Sequence, residues 1–226
     1  MFLFRNVSKY FGLSDPMDTL LNYILKGNLK GVQRLISEGI DVNAGNDEYQ
    51  HPLYHAVREK NIDIIRVLLF AGANMTKQHY YYPSPVVLSI LNDSIDIFNV
   101  FINFGADIEH VCPSYGLKYI HIACMYNSKR ILHRLIQLNV DINARDKYGQ
   151  TSFYMLYGLH RAEEYSILDA SNLLLINGID IYMKSNNGYS CIDALAAEKY
   201  RHNKLQIDIN NVLRNLLNIY EENDNI

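Results

Sequence analysis

"DINARDKYGQTSFYML", residues 141–156, decides how the rest of the chain is read. An Asp-x-Asn turn, a charged pair, a glycine and a hydroxyl precede a run of apolar residues. That order fits a phosphate loop, a metal loop or one unit of a repeat. Repeats are sought first, because missing one misreads the whole fold. Segments of the same kind occur at "LISEGIDVNA", "LLFAGANMTK", "FINFGADIEH", "LIQLNVDINA" and "LLINGIDIYM". Their turn residues Gly39, Gly72, Gly105, Asn139 and Gly178 are separated by steps of 33, 33, 34 and 39. A second recurrent segment follows each turn: "HPLYHA" at His51, "SPVVLS" at Ser84, "KYIHIA" at Lys118, "TSFYML" at Thr151 and "SCIDAL" at Ser190. These are separated by 33, 34, 33 and 39.

The two segments have a physical reading. A hydroxyl, or a Pro just inside the start, suits the first turn of a helix, so the "HPLYHA" type opens a short helix. The run "IDIIRVLLF" then carries apolar residues at helical spacing and predicts a second helix. Gly72 or its equivalent ends it, because a left-handed C-terminal residue is least strained as Gly, with Asn next. Asn139 obeys that rule. A polar stretch such as "NARDKYGQ" turns the chain toward the next pair. Each unit leaves an apolar face it cannot bury alone, so neighbours stack.

The 33-residue step, the T-P-L-H-x-A-like segments and the L-L-x-x-G-A-D-like segments resemble ankyrin repeats. The resemblance implies an all-α fold, an ankyrin-repeat solenoid of about six helix-turn-helix repeats with hairpin turns, elongated and monomeric. The expected layout is an extension over 1–16, a repeat domain over 17–220 and an acidic tail over 221–226. Its repeats fall near 17–44, 45–77, 78–110, 111–144, 145–183 and 184–220, the first and last acting as caps. Residues 141–156 are then the hairpin turn between repeats four and five, with Gly149 as turn glycine. Tyr49 and Tyr82 depart from that glycine. An insertion within "GLHRAEEYSILDA" is expected as a loop between the helices of repeat five. The third repeat, with Ser84 and Asp93, matches least well.

Composition narrows the function classes. The chain has 226 residues, 49% of them hydrophobic, and a net charge of −3. That charge gives no general attraction to nucleic acid or anionic membrane. Three widely spaced cysteines, Cys112, Cys124 and Cys191, do not form a disulfide framework and point to a reducing, cytoplasmic compartment. No signal-peptide core and no apolar run of membrane-spanning length is read. Phosphate-loop and dinucleotide fingerprints are absent. "HIAC", residues 121–124, offers two metal ligands on one helix face. The bland reading is preferred: His121 falls where the family has a His bonded to turn backbone, and Cys124 faces the core. "HRAEE", residues 160–164, pairs a His with carboxylates but lies in the insertion. No cofactor, metal or catalytic residue is therefore expected, and the chain is read as non-enzymatic.

In the family, partners bind on the turn tips and the inner face of the first helices. Carried over by position, the resemblance implies Tyr80, Tyr81, Tyr115, Lys147, Tyr148 and Tyr189 at tips. It implies Arg58, Glu59, Met125 and Tyr126 on inner faces. The tip side chains are expected to pack against nothing. Six tyrosines at these positions favour a protein partner, since Tyr combines area, few rotors and a polar end. Arg66 and Arg130, on the outer helices, are expected to be neutral. Tyr/Ile/Asn-rich usage and an insertion inside a repeat further resemble ankyrin proteins of poxviruses, of the host-range type, with those of intracellular bacteria as an alternative source. That implies a role against a host factor in the host cytosol. The rival readings are a scaffold subunit of a larger assembly and a ubiquitin-ligase substrate adaptor. The adaptor reading is weakened by the expected lack of an F-box-like segment after repeat six. Asn43 and Asn143 resemble asparagines modified by the oxygen-sensing hydroxylase; the simpler expectation is a side chain bonded to the turn backbone.

Overall fold

The computed structural model describes residues 16–44, 51–78, 82–113, 115–158 and 164–193. Among them are ten α-helices, the start of a further one at 191–193, and two isolated antiparallel bridges. The helices come in pairs: α1 (Pro16–Leu25) and α2 (Leu29–Ser37); α3 (Pro52–Arg58) and α4 (Ile62–Phe70); α5 (Pro85–Leu91) and α6 (Ile95–Asn103); α7 (Tyr119–Met125) and α8 (Lys129–Gln137); α9 (Ser152–Gly158) and α10 (Glu164–Ile176). The chain is the all-α ankyrin-repeat architecture that the 33-residue step implies. The sixth expected repeat lies outside the described residues beyond 193, as do the N-terminal extension up to 15 and the acidic tail.

Two left-handed positions recur in this pattern, and the sequence announces only one. The expected one closes each second helix: Gly39, Gly72, Gly105, Asn139 and Gly178 have φ of 86, 83, 83, 57 and 87°. The other lies in the three-residue link between the helices of a pair. Gly27, Lys60, Asp93 and Asn127 have φ of 65, 55, 44 and 53°. Only the first is a glycine, so no composition signal marks the register. The link holds because it returns hydrogen bonds to the helix it leaves. Asn61 N donates to Ala56 O at 3.1 Å and Ser128 N to Ala123 O at 2.8 Å, satisfying carbonyls that a helix end otherwise strands.

The next residue starts the second helix. Asn28 Oδ1 accepts from Gly31 N at 3.0 Å, and Asn61 Oδ1 accepts from Ile64 N at 3.1 Å. Below each cap the apolar stripe turns inward, as with Ile64, Ile65, Leu68 and Leu69 of α4 and Ile131, Leu132 and Leu135 of α8. The insertion in repeat five is not wholly a loop. α10 has 13 residues where α4, α6 and α8 have nine, so part of the extra sequence lengthens the second helix. Residues 159–163 lie outside the described set.

The chain forms two compact units, one of residues 1–89 and 95–106, the other of 90–94 and 107–226. Within each, like packs on like. In the first unit α1 meets α3, α2 meets α4 and α4 meets α6; in the second α7 meets α9 and α8 meets α10. Two layers of helices thus share a core, which includes Leu20, Ile24, Leu53, Ile64, Leu68, Phe98 and Phe101 in the first unit. The second unit buries Tyr119, Ile120, Ile131, Leu135, Phe153 and Leu174.

Polar ties run between successive repeats. Asp41, Asn74, Asp107, Asp141 and Asp180 each use Oδ1 to accept the N–H two residues on, at 2.9–3.1 Å, which shapes the turn after each second helix. Asn43 and Asn143 do something else. Asn43 Oδ1 accepts from Asn74 N at 2.7 Å and its Nδ2 donates to Gly72 O at 2.8 Å. Asn143 repeats this on Asp180 N at 2.7 Å and Gly178 O at 3.0 Å. The expected bond from these side chains to turn backbone is present, and the turn is that of the next repeat: both groups of each amide are spent on it. At the same register Glu109 Oε1 accepts from Asp141 N at 2.7 Å, while its Oε2 meets Lys118 Nζ at 2.8 Å. Burial pushes the Glu109 carboxyl up, but the Lys118 and Asp141 hydrogen bonds outweigh it and hold the group below its ordinary range.

His121 is a third kind of tie. Its Nδ1 accepts from Lys118 N at 3.1 Å, which leaves the proton on Nε2 to reach Ala144 O at 3.1 Å and Gln150 O at 3.2 Å. The expected bond from His121 to turn backbone is present. Burial lowers its pKa, against bonds to Gln150 and Ala144 that raise it. In the first unit His55 is lowered to about 4, first by burial and then by Arg58, and neither ring nitrogen has a hydrogen-bond partner among the described residues.

Two consequences are measurable. Leu68, fully buried in α4, has no room to be truncated cheaply: Leu68→Ala should cost about 2–5 kcal/mol in denaturant unfolding. The histidines set a pH dependence. Their folded pKa values lie below 6.5, so the unfolded chain protonates first. They contribute stability that is complete above pH 6.5 and lost as pH falls toward 4. Urea midpoints should drop across this window, and less steeply in His55→Phe; equal slopes would contradict the assignment.

Candidate functional site

The second unit carries three successive hairpins. In the first, Val111 bridges to Lys118 and Cys112 N donates to Leu117 O at 2.8 Å. In the second, Arg145 bridges to Thr151 and Asp146 N donates to Gln150 O at 3.0 Å. In the third, Ser185 N donates to Tyr189 O at 2.9 Å. Gly149 and Gly188 reverse the chain with φ of 74 and 80°. The first hairpin instead places Tyr115 and Gly116 at 68 and 67°, two left-handed residues in a row. That is the type I′ pattern, which a bulky aromatic rarely accepts. Asp146 stiffens the second hairpin from within: its Oδ1 accepts from Tyr148 N and Gln150 N, each at 2.8 Å, and the residue is only 8% exposed.

The hairpins are hydrogen-bonded to one another. Lys147 N donates to Tyr115 O at 3.1 Å, and Asn186 N to Tyr148 O at 2.8 Å. Asn186 Nδ2 adds a bond to Lys147 O at 3.0 Å. Arg145 donates from Nε to Gly149 O at 3.1 Å and from Nη2 to Lys184 O at 2.9 Å. On this backbone array the Lys147 ammonium stands 4.2 Å from the centroid of the Tyr115 ring and 5.0 Å from that of Tyr148. The two rings are 6.4 Å apart. Tyr115, Tyr148 and Tyr189 remain 55, 47 and 63% exposed.

The structure thus gathers Tyr115, Lys147 and Tyr148, with Tyr189 on the next hairpin. It corrects the expectation that tip side chains pack against nothing, because the Lys147 ammonium stands over two rings. Asn186 and Arg145 turn out to be the residues that lock the tips together. Their bonds reach across 39 residues, and no local pattern announces them. Tyr126, exposed, and Met125, half-buried, sit at the other end of α7 from its hairpin. A seven-residue helix puts about 10 Å between those ends. Arg58 and Glu59, in the first unit, are ion-paired to each other at 3.1 Å. Tyr80 and Tyr81 lie outside the described residues.

Arg130, an exposed residue of α8, is tied to Asp93. Its Nε pairs with Asp93 Oδ2 at 3.2 Å and its Nη2 donates to Asp93 O. Asp93 Oδ1 also accepts from Ile131 N at 3.1 Å, capping α8. Asp93, a poor match to the repeat pattern, therefore joins two repeats. The thiols lie outside this surface. Burial pushes Cys112 up to about 11 and Cys124 up to about 12, and raises Cys191. All three are buried and protonated near neutral pH. Among the described residues no cluster of three His, Cys, Asp or Glu is arranged to hold a metal ion. No helix among them is long and apolar enough to cross a membrane.

Paired helices on a 33-residue step, left-handed closures and stacked hairpins define a repeat protein of the ankyrin class. Comparison with known families agrees: the model described as "Ankyrin repeats (3 copies)" matches residues 4–79 and 86–185, and the chain belongs to that family. A putative ankyrin repeat protein of fowlpox virus is 27% identical over 144 residues, covering 63% of this chain and 31% of the viral protein. Ankyrin repeat and SOCS box protein 5 of Oryctolagus cuniculus is 37% identical over 84 residues, covering 37% of this chain and 25% of the rabbit protein. The chain thus spans about a third or less of the length of these relatives. A solved ankyrin repeat protein superposes with a TM-score of 0.68 at 22% identity, over 81% of this chain and 92% of the other, which establishes the fold alone.

The tip array makes glycine identity unequal across the chain. A Cβ on Gly149 would collide with the Arg145 guanidinium and the Asn186 side chain and stand 3.0 Å from Asn186 N, whereas one on Gly178 would meet nothing within 4 Å. Gly178→Ala should cost about 1–2 kcal/mol, from its left-handed φ alone. Gly149→Ala should cost about 1–3 kcal/mol more, since overpacking adds to strain. Equal unfolding midpoints would show the tips are not locked.

Proposed function

We propose that this chain holds a partner protein against the Tyr-rich hairpin tips of its second unit and performs no chemistry of its own. Ankyrin repeats in general are non-enzymatic protein-interaction modules. The observation that carries the reading is the set Tyr115, Lys147 and Tyr148: large exposed side chains on backbone fixed by inter-repeat hydrogen bonds. Rigid aromatic groups lose little entropy on docking, and such residues dominate interface energies. The left-handed Tyr115 adds weight, because strain at a bulky residue is kept where a surface needs that side chain. Exposed Tyr189 extends the surface, and Tyr126 with Met125 gives it a second contact along α7. Likeness to a poxvirus ankyrin protein supports a host protein as the partner, met in the cytosol, where the three thiols stay reduced.

The test replaces Tyr115, Tyr148 and Tyr189 together with Ser. Each change should move stability by only about 0.5–1 kcal/mol, the size of an exposed substitution or an exposed cation–π contact. Affinity capture of the partner from host-cell lysate should fall tenfold or more, since anchors of this type contribute about 2 kcal/mol or more each. Arg66→Ala and His133→Ala, both on exposed helix faces, serve as controls and should change neither. Undiminished capture by the triple Ser variant would remove the tips as the site.

A further inference from the structure

The charge on the tips runs against the charge of the chain. The whole sequence carries −3, yet the hairpin stretches 111–118, 145–151 and 184–190 hold Lys118, Arg145, Lys147 and Lys184 against Asp146 alone. Asp146 does not neutralise them from outside, because its carboxylate is turned onto the N–H groups of Tyr148 and Gln150. Lys118 is already satisfied by Glu109 at 2.8 Å, and the Arg145 guanidinium is spent on Gly149 O and Lys184 O. Lys147 differs. No carboxylate among the described residues lies within ion-pair distance of it, and none of its three N–H donors meets an oxygen or nitrogen acceptor there. Its ammonium has only the two tyrosine rings. A cation standing over two aromatic rings is oriented by them, but its charge is not cancelled.

We infer that the Tyr115–Lys147–Tyr148 clamp recognises an acidic segment of a protein, one that sets an Asp or Glu carboxylate on the Lys147 ammonium with an apolar neighbour beside the rings. This rests on the reading of the tips as the protein-binding site and gives that partner its chemistry. A carboxylate supplies the charge-assisted acceptor the ammonium lacks, and the flanking rings exclude water from the pair. A single-stranded nucleic acid fits less well. Its bases need free aromatic faces, and here the ammonium stands over one face of each ring.

The experiment uses the full chain as bait for random short peptides displayed on phage, with oligouridine as a parallel probe. Wild type should enrich peptides carrying Asp or Glu next to an apolar residue. Lys147→Glu should bind those peptides about tenfold or more weakly, the scale of close charge pairs at interfaces, and should enrich Lys- or Arg-bearing peptides instead. Lys147→Gln, nearly isosteric and uncharged, should lose the acidic peptides without gaining basic ones, and it covers the case in which Lys147→Glu fails to melt like wild type. Enrichment with no acidic bias, or equal binding by the Gln variant, would overturn the inference while leaving the tips as the site if the triple Ser variant still loses the peptides. Peptides bound equally by the triple Ser variant would sink both readings. No enrichment by wild type, or oligouridine binding that Lys147→Gln abolishes, would also overturn it, the latter in favour of nucleic acid.

Discussion

Everything in this chain depends on where the backbone can reverse. A helix pair of this size has an apolar face wider than its own partner helix can cover, so it must be laid against another pair at fixed distance and angle. That is achieved by putting a left-handed residue at the same two points of the first four helix pairs, each point recurring roughly every 33 residues. One closes the second helix and the other links the two helices. Each returns N–H groups to carbonyls the helix end leaves unpaired. With the reversals fixed, like helices fall on like helices, and the apolar stripes meet without further instruction.

The two reversals differ in how well the sequence shows them. The closure after the second helix is written in Gly39, Gly72, Gly105 and Gly178, with Asn139 as the permitted exception, and the repeat can be counted from it. The link is written in Gly27, Lys60, Asp93 and Asn127, which share a conformation and no chemistry. It is stabilised by backbone bonds that any residue can make, so propensity is overridden and nothing local betrays it. The same holds at the surface. Exposed tyrosines at the tips can be placed by counting from the turn glycines. The placing of Lys147 over Tyr115 and Tyr148, and the locking of the tips by Asn186 and Arg145, cannot. Those contacts join residues about one repeat apart, and a single chain read in order does not reveal which long side chains meet. Asp93 and Arg130 show the reverse case: a weak match and an outer-face arginine are together a tie between repeats.

Division of labour within the unit follows from burial. Carboxylates and amides that can be satisfied internally are used as mortar: Asp146 inside its own hairpin, Glu109 and His121 between neighbouring turns. On the hairpin stretches the charge that remains outside is cationic, beside exposed tyrosines. The surface offered to a partner is therefore the residue left after the stack has met its own polar needs. This explains how an acidic chain can present a basic, tyrosine-rich edge.

Asn43 and Asn143 show how narrowly the stack distinguishes atoms. Each amide accepts with its oxygen and donates with its nitrogen to the turn of the following repeat. Exchange of that nitrogen for oxygen, as in Asn43→Asp or Asn143→Asp, leaves the outline of the side chain unchanged. It nevertheless sets a carboxylate oxygen against the carbonyl of Gly72 or Gly178, acceptor against acceptor. The joint between repeats is thus sensitive to a change of one atom in a way its shape does not reveal, at the two places where the amides hold neighbouring turns together.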